Sequence, residues 1–224
     1  MGNSLVPELH DIGKLYRLSP ALQTFSEDEG AYLHGQENAV LKALGIAQPA
    51  TATWRGVVHH HDKEPARCLD LFALSIADHA ASSMSRGPRK LKEGISAQRR
   101  SVYKLWNPDQ QEELQAVLPE CTPTDMRALV DWIISEPDAE AYFTRYRGPL
   151  NARPEDLQPP LNTVSLASHC ELVGKVYRFL MARLATTTKG SSSAWSLLGQ
   201  SPENDPNKAG SNWRVFLVKG TVGF

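Results

Sequence analysis

His10-Asp11-Ile12-Gly13-Lys14 puts an imidazole and a carboxylate side by side after only nine residues of chain. Imidazole nitrogens and carboxylate oxygens together suit borderline divalent metals such as Mn, Fe, Co, Ni or Zn. A carboxylate beside a histidine can bridge two ions, and a paired site clamps both the attacking and the leaving oxygen of a phosphoester. A helix carrying His10 and Asp11 presents adjacent ligands at the edge of one face, and Gly13 allows close approach. Lys14 supplies a compact positive charge for a phosphate. A His-Asp doublet also arises by chance, as a helix-terminal turn with solvated polar residues, so the rest of the chain has to be read with it. Outward from the doublet lie His34, the run His59-His60-His61, Asp78 and, much later, His169.

Most of the chain has helical periodicity. From Ala31 to Leu44, His34, Glu37, Leu41 and Leu44 share a face. From Arg67 to Ser82, Leu71, Leu74, Asp78 and Ala81 share one. From Leu166 to Leu184 the stripe is Leu166, His169, Val173, Val176 or Tyr177, Leu180 and Leu184. These are i, i+3, i+4, i+7 patterns. In each, a ligand-type residue takes a position that is otherwise apolar. Burying His34, Asp78 or His169 without a partner is costly, and inward coordination of a metal removes that cost. Three consecutive histidines cannot all point to one centre from a helix. The expectation is His59 and His60 as ligands, with His61 a donor behind them or a ligand in place of one. Asp78 sits among small residues in Ile76-Ala77-Asp78-His79-Ala80-Ala81, which lets its helix come close to others. His79 falls on the side away from the stripe and is given no role.

The 224 residues are 41% hydrophobic and 22% charged, with a formal net charge of -1. That is ordinary globular composition, and it excludes a uniformly basic nucleic-acid binder. Three widely spaced cysteines, Cys68, Cys121 and Cys170, with no CxxC, fit a reducing, cytoplasmic setting. No apolar run approaches the roughly 20 residues of a membrane span, and Pro7, Glu8, His10 and Asp11 interrupt any signal peptide. Residues 85–104 are basic, and residues 109–140 are acidic. Residues 147–162 are Pro-rich and read as an extended connection, and residues 186–212 as a linker or long loop. Trp213-Arg214-Val215-Phe216-Leu217-Val218 reads as a strand. Trp54, Trp106 and Trp132 read as core residues rather than stacking platforms.

These residues resemble the HD superfamily of metal-dependent phosphohydrolases. HD domains usually carry a further histidine on a helix that precedes the His-Asp doublet. Here the segment Leu161-Asn162-Thr163-Val164-Ser165-Leu166-Ala167-Ser168-His169-Cys170-Glu171-Leu172-Val173 looks like that first helix, moved behind the others. A circularly permuted HD domain of this kind is similar to the N-terminal nuclease domain of the large, polymerase/cyclase-like subunit of type III CRISPR effector complexes. Ala77-Asp78-His79-Ala80-Ala81-Ser82-Ser83 resembles that family's Ala-Asp segment. Trp213 to Gly220 resembles the first strand of the palm domain that follows it there, although Lys219 to Phe224 lacks the aspartate expected of that strand. The resemblance covers nearly all of the chain apart from residues 105–160.

The resemblance implies an all-α, circularly permuted HD fold with a C-terminal strand or tail. Residues 1–185 would be the nuclease domain, 186–212 a linker, and 213–224 the start of a following domain. It implies two divalent transition-metal ions, Mn, Ni, Co or Fe. His10, Asp11, Asp78 and His169 would hold one, and Asp11 would bridge to a second held by His34, His59 and His60. Asp11 and Lys14 would be the catalytic residues. Arg86, Arg89, Lys90, Arg99 and Arg100 would track the backbone of single-stranded DNA, although a solvated helix face explains them equally. The expected partners are single-stranded DNA and the other subunits of a guide-RNA-bearing complex in the cytoplasm, with no membrane. Two alternatives stay open: a phosphohydrolase of nucleotides or cyclic dinucleotides, and a catalytically degenerate scaffold that binds protein or RNA.

Overall fold

The computed structural model describes residues 5–25, 32–61, 68–85, 120–153 and 165–187. These are mostly helical. Two 3₁₀ turns, Pro7–Leu9 and Ile12–Leu15, lead into β1 (Arg17–Leu18) and the single-turn α1 (Pro20–Gln23). Then come α2 (Glu37–Ala43), α3 (Ala52–His59), α4 (Leu69–Ser85), β2 (Glu120–Cys121), α5 (Pro123–Ile134), α6 (Ala139–Ala152) and α7 (Leu166–Thr187). Among the described residues no helix is long and apolar enough to cross a membrane.

Local chemistry sets the helix ends. Thr51 caps α3 by accepting the Trp54 amide at 3.1 Å. Thr122 and Asp125 form a reciprocal capping box on α5, with Pro123 in its first turn, and Asp138 caps α6 through the Ala141 amide at 2.8 Å. Each such cap stabilises its helix by about 1 kcal/mol. The Pro-rich connection expected from residue 147 is helical up to Ala152. Tyr146 leaves helical geometry (φ -113, ψ 18) one turn before Pro149. That kink accommodates a ring that would otherwise press on the preceding turn and lacks an N–H to donate. The Tyr146 hydroxyl hydrogen-bonds that of Tyr16, tying α6 to the N-terminal segment.

Two cores position the site. One is formed by the N-terminal turns with α5 and α6, and includes Leu9, Ile12, Leu15, Met126, Ile133 and Tyr142. The other lies between α4 and α7, where Phe72, Leu74, Ala77 and Ala81 meet Val173, Tyr177 and Leu180. The alanines let these two helices pack along much of their length, and α7 also lies against the first 3₁₀ turn and α6. Each large apolar side chain fully buried there contributes about 1.5–3 kcal/mol.

Several sequence expectations are corrected. The helix expected from Ala31 begins only at Glu37, because His34 and Gly35 form a turn and Gly35 takes a left-handed conformation (φ +80). His10 and Asp11 lie between two 3₁₀ turns rather than on an α-helix. β1 and β2 pair in parallel, Arg17 with Glu120 and Leu18 with Cys121; strands of two residues are too short to leave an alternating pattern. Cys121 and Cys170 are buried, Cys68 is half-buried, and none is disulfide-bonded. The basic stretch 86–104, most of the expected linker and the C-terminal strand lie outside the described residues.

Candidate metal centre

The N-terminal turns aim the doublet. Pro7 opens the first 3₁₀ turn, and its carbonyl accepts the His10 Nδ1–H at 2.9 Å. That bond commits Nδ1 as a donor, so Nε2 is the nitrogen that can ligate once it has lost its proton. Asp11 sits at φ -98, ψ 16, in the sparsely populated bridge region that active-site residues often adopt. His10 Nε2 lies 3.2 Å from Asp11 Oδ2 and 3.7 Å from Asp78 Oδ1. α7 carries His169 to the same place. Its Nε2 is 3.1 Å from Asp78 Oδ1 and 3.5 Å from Asp11 Oδ2. The close α4–α7 packing therefore brings Asp78 and His169 together across 91 residues of chain (169 − 78). We call His10, Asp11, His169 and the adjoining Asp78 the inner group.

A second set lies on the other side of Asp11. α3 ends at His59, and His60 is its C-terminal cap. The His60 Nδ1–H points at the Gly56 and Val57 carbonyls, each at 2.9 Å, which turns Nε2 to within 3.6 Å of Asp11 Oδ1. His34, in the turn before α2, places Nδ1 3.7 Å from Asp11 Oδ1. His61 lies beyond the helix end, and its Nε2 is 3.2 Å from His34 Nε2. Asp11, His34, His60 and His61 form the outer group, whose donor atoms all lie within 4.8 Å of one another.

Of the expected pair, His60 falls in the outer group and His59 in neither, while His61, the alternative ligand of the run, stands beside His34. The reason is the helix end. α3 ends at His59 with His60 as its cap, so His61 stands beyond the helix, where its Nε2 meets His34 Nε2 at 3.2 Å.

The donor set fits a divalent transition metal. Asp11 Oδ1 and His60 Nε2 are buried with no hydrogen-bond partner among the described residues. Each such atom costs about 1–3 kcal/mol if left unsatisfied. Metal–nitrogen bonds of about 2.0–2.1 Å place neighbouring ligand atoms roughly 3.0–3.4 Å apart. The His169–Asp78, His10–Asp11 and His34–His61 separations of 3.1, 3.2 and 3.2 Å fall in that span. Asp11 directs Oδ2 to the inner group and Oδ1 to the outer one.

Charge differs between the groups. Burial pulls the His10 pKa down, but the Asp11 and Asp78 carboxylates outweigh it and raise it to about 10. Burial works against ionised Asp11, yet the charges of His10 and Lys14 hold it well below the usual carboxylate range. Burial likewise opposes ionised Asp78, but hydrogen bonding to His10 and His169 and the charge of His10 hold it well below the usual range. Burial takes His34 down to about 3, and partial burial together with the neighbouring His60 lowers His61 as well, so both are neutral imidazoles at pH 7, the form that ligates metal. Lys14 does not reach outward. Burial opposes its charge, but Asp11 raises its pKa, and its Nζ lies 2.7 Å from Asp11 Oδ2.

Two buried carboxylates here received no role from sequence. Glu8 pairs with Arg178 of α7. Glu37, three residues after His34, turns Oε1 toward His34 Nδ1 at 3.9 Å. Burial raises Glu37 to about 8, although the Glu37 and Gly35 amides hydrogen-bond its carboxylate. Glu37 shares the His34 stripe, so spacing alone could have marked it; nothing in the sequence marks Glu8 as buried. Arg86, Arg89, Lys90, Arg99 and Arg100 lie outside the described residues.

The chain matches no family model, no curated protein and no solved structure.

Proposed function

We propose that this chain is a metal-dependent phosphodiester hydrolase with an HD fold in permuted helix order, acting on single-stranded DNA as the nuclease domain of an RNA-guided CRISPR defence complex. The observation that carries the hydrolase reading is Asp11. One buried carboxylate turns an oxygen to each of two histidine groups, as a bridging ligand must. His10, Asp11, Asp78 and His169 would hold one divalent ion, and Asp11, His34, His60 and His61 the other. When bound, such ions lower the pKa of water for attack on phosphorus and neutralise charge on the leaving oxygen. The chain's own contribution is to orient the ligands. Backbone carbonyls fix the His10 and His60 tautomers, and Lys14 holds a positive charge beside Asp11. The exposed side of the site is that of His34 and His61, and a phosphodiester would approach there. The choice of single-stranded DNA and of a CRISPR complex rests on the family resemblance.

The test is a cleavage assay with Mn, Ni, Co and Fe on single-stranded DNA, duplex DNA, RNA and a cyclic dinucleotide, with Asp11→Ala as control. Single-stranded DNA should be cut fastest. Asp11→Ala should lose more than the roughly 10–100-fold typical of residues that merely support a ligand. Preference for the cyclic dinucleotide would move the reading to small-molecule hydrolysis. An Asp11→Ala variant with full activity would remove the two-metal assignment.

A further inference from the structure

Glu37 and His34 pose a local problem that the ligand assignment leaves open. His34 Nδ1 and Glu37 Oε1 are both buried, both lack a hydrogen-bond partner among the described residues, and lie 3.9 Å apart. His34 Nε2 meets His61 Nε2 at 3.2 Å. Two imidazole nitrogens at that distance cannot both present lone pairs to one another; a proton or a cation must lie between them. The Glu37 carboxylate is also housed deliberately close to the doublet. A side chain at Gly13 would run into Glu37 Oε1 and would come within 2.7 Å of the His34 backbone. Gly13 therefore keeps open the space in which Glu37 reaches His34.

We infer that Glu37 is the positioning residue of the outer group: it accepts the Nδ1–H of His34, so that His34 offers Nε2, beside His61, to the outer ion. This rests on the two-metal reading, because only with Asp11 Oδ1 engaged by an ion is Glu37 left as the acceptor for His34 Nδ1. Ligating histidines commonly donate their other ring N–H to a carboxylate, and loss of that acceptor weakens metal binding about 10–100-fold. The arrangement also accounts for a buried acid that no catalytic step requires. His60 and His10 obtain the same support from backbone carbonyls. His34 lies in a turn rather than on a helix, and the side chain three residues on replaces the carbonyl.

Two measurements on the intact chain decide the matter. The first titrates Co²⁺ into wild-type, Glu37→Leu and Glu37→Gln protein, following the visible absorption of the bound ion, metal content and thermal unfolding together. Wild type should take up two equivalents. Glu37→Leu, which has no acceptor, should keep the inner ion at wild-type affinity and bind the outer one about 10–100-fold more weakly. Glu37→Gln, whose amide oxygen still accepts, should restore part of the loss. Wild-type binding of both ions by Glu37→Leu overturns the inference and leaves the hydrolase reading standing. Failure of wild type to bind any ion overturns both. The second needs no variant: ¹⁵N imidazole shifts of the Zn²⁺-loaded chain should show His34 protonated at Nδ1 and not at Nε2. The opposite tautomer overturns the inference even if Glu37→Leu does not fold.

Discussion

The two groups that share Asp11 are built differently. The inner one is sealed: the His10 and His169 side chains are 0% and 1% exposed. The outer one opens to solvent, with His34 at 18% and His61 at 55%. The inner group depends on long-range packing, because α4 and α7 must meet before Asp78 and His169 can face the doublet. The outer group depends on local chain reversals, the Gly35 turn and the end of α3. Ligands held by a core hold their geometry without a substrate. Ligands on turns at the surface can adjust to one. On the proposed two-metal reading, the inner group would retain an ion and the outer would contact the phosphate.

Single substitutions should separate the groups, and the largest effect belongs to His169→Ala. It should remove the inner ion and hydrolysis together, with bound metal falling from two equivalents to one. His61→Ala should release the outer ion and retain the inner. His59→Ala should change neither, since His59 lies in neither group. Metal content by elemental analysis after gel filtration, with hydrolysis rates alongside, checks all three. Loss of an ion in His59→Ala would restore the original assignment of the histidine run.

A smaller effect should appear in pH. His10, raised to about 10, carries a proton at neutral pH, and an inner ion must displace it from Nε2. Inner-site affinity should therefore rise about tenfold per pH unit from pH 7 towards 10, one proton being released per ion. His34 and His61, lowered to about 3 and about 4, have already lost theirs, so they add no such slope at neutral pH. Calorimetry in buffers of differing ionisation enthalpy counts the protons. Equal release from both ions would erase the distinction between sealed and open sides.

How much of this was legible in the sequence follows from how each part is made. The helices α4 and α7 announce themselves by long apolar stripes. Asp78 and His169 stood out as single polar residues within them, which is why residues so distant could be placed at one point. What stayed hidden depends on where short elements stop. Whether His59 or His61 joins His60 is decided by a helix ending at His59, and no residue pattern there marks the end. The 3₁₀ geometry of residues 7–15 is too short to have a period. Glu37 lay in plain view, but a glutamate in the first turn of α2 reads as favourable to the helix dipole. It is buried with the Gly13 backbone packed against its Oε1, an approach that the local sequence does not show.

The central claim is that the Asp11 carboxylate joins two ions. Anomalous diffraction from crystals grown with Mn²⁺ tests it most directly. The account predicts two peaks, one on each side of Asp11, about 3.5–4 Å apart, with His169 Nε2 about 2.0–2.2 Å from the inner ion and His61 beside the outer. A single peak that Asp11 does not touch, or a His169 ring turned away from both ions, would contradict it.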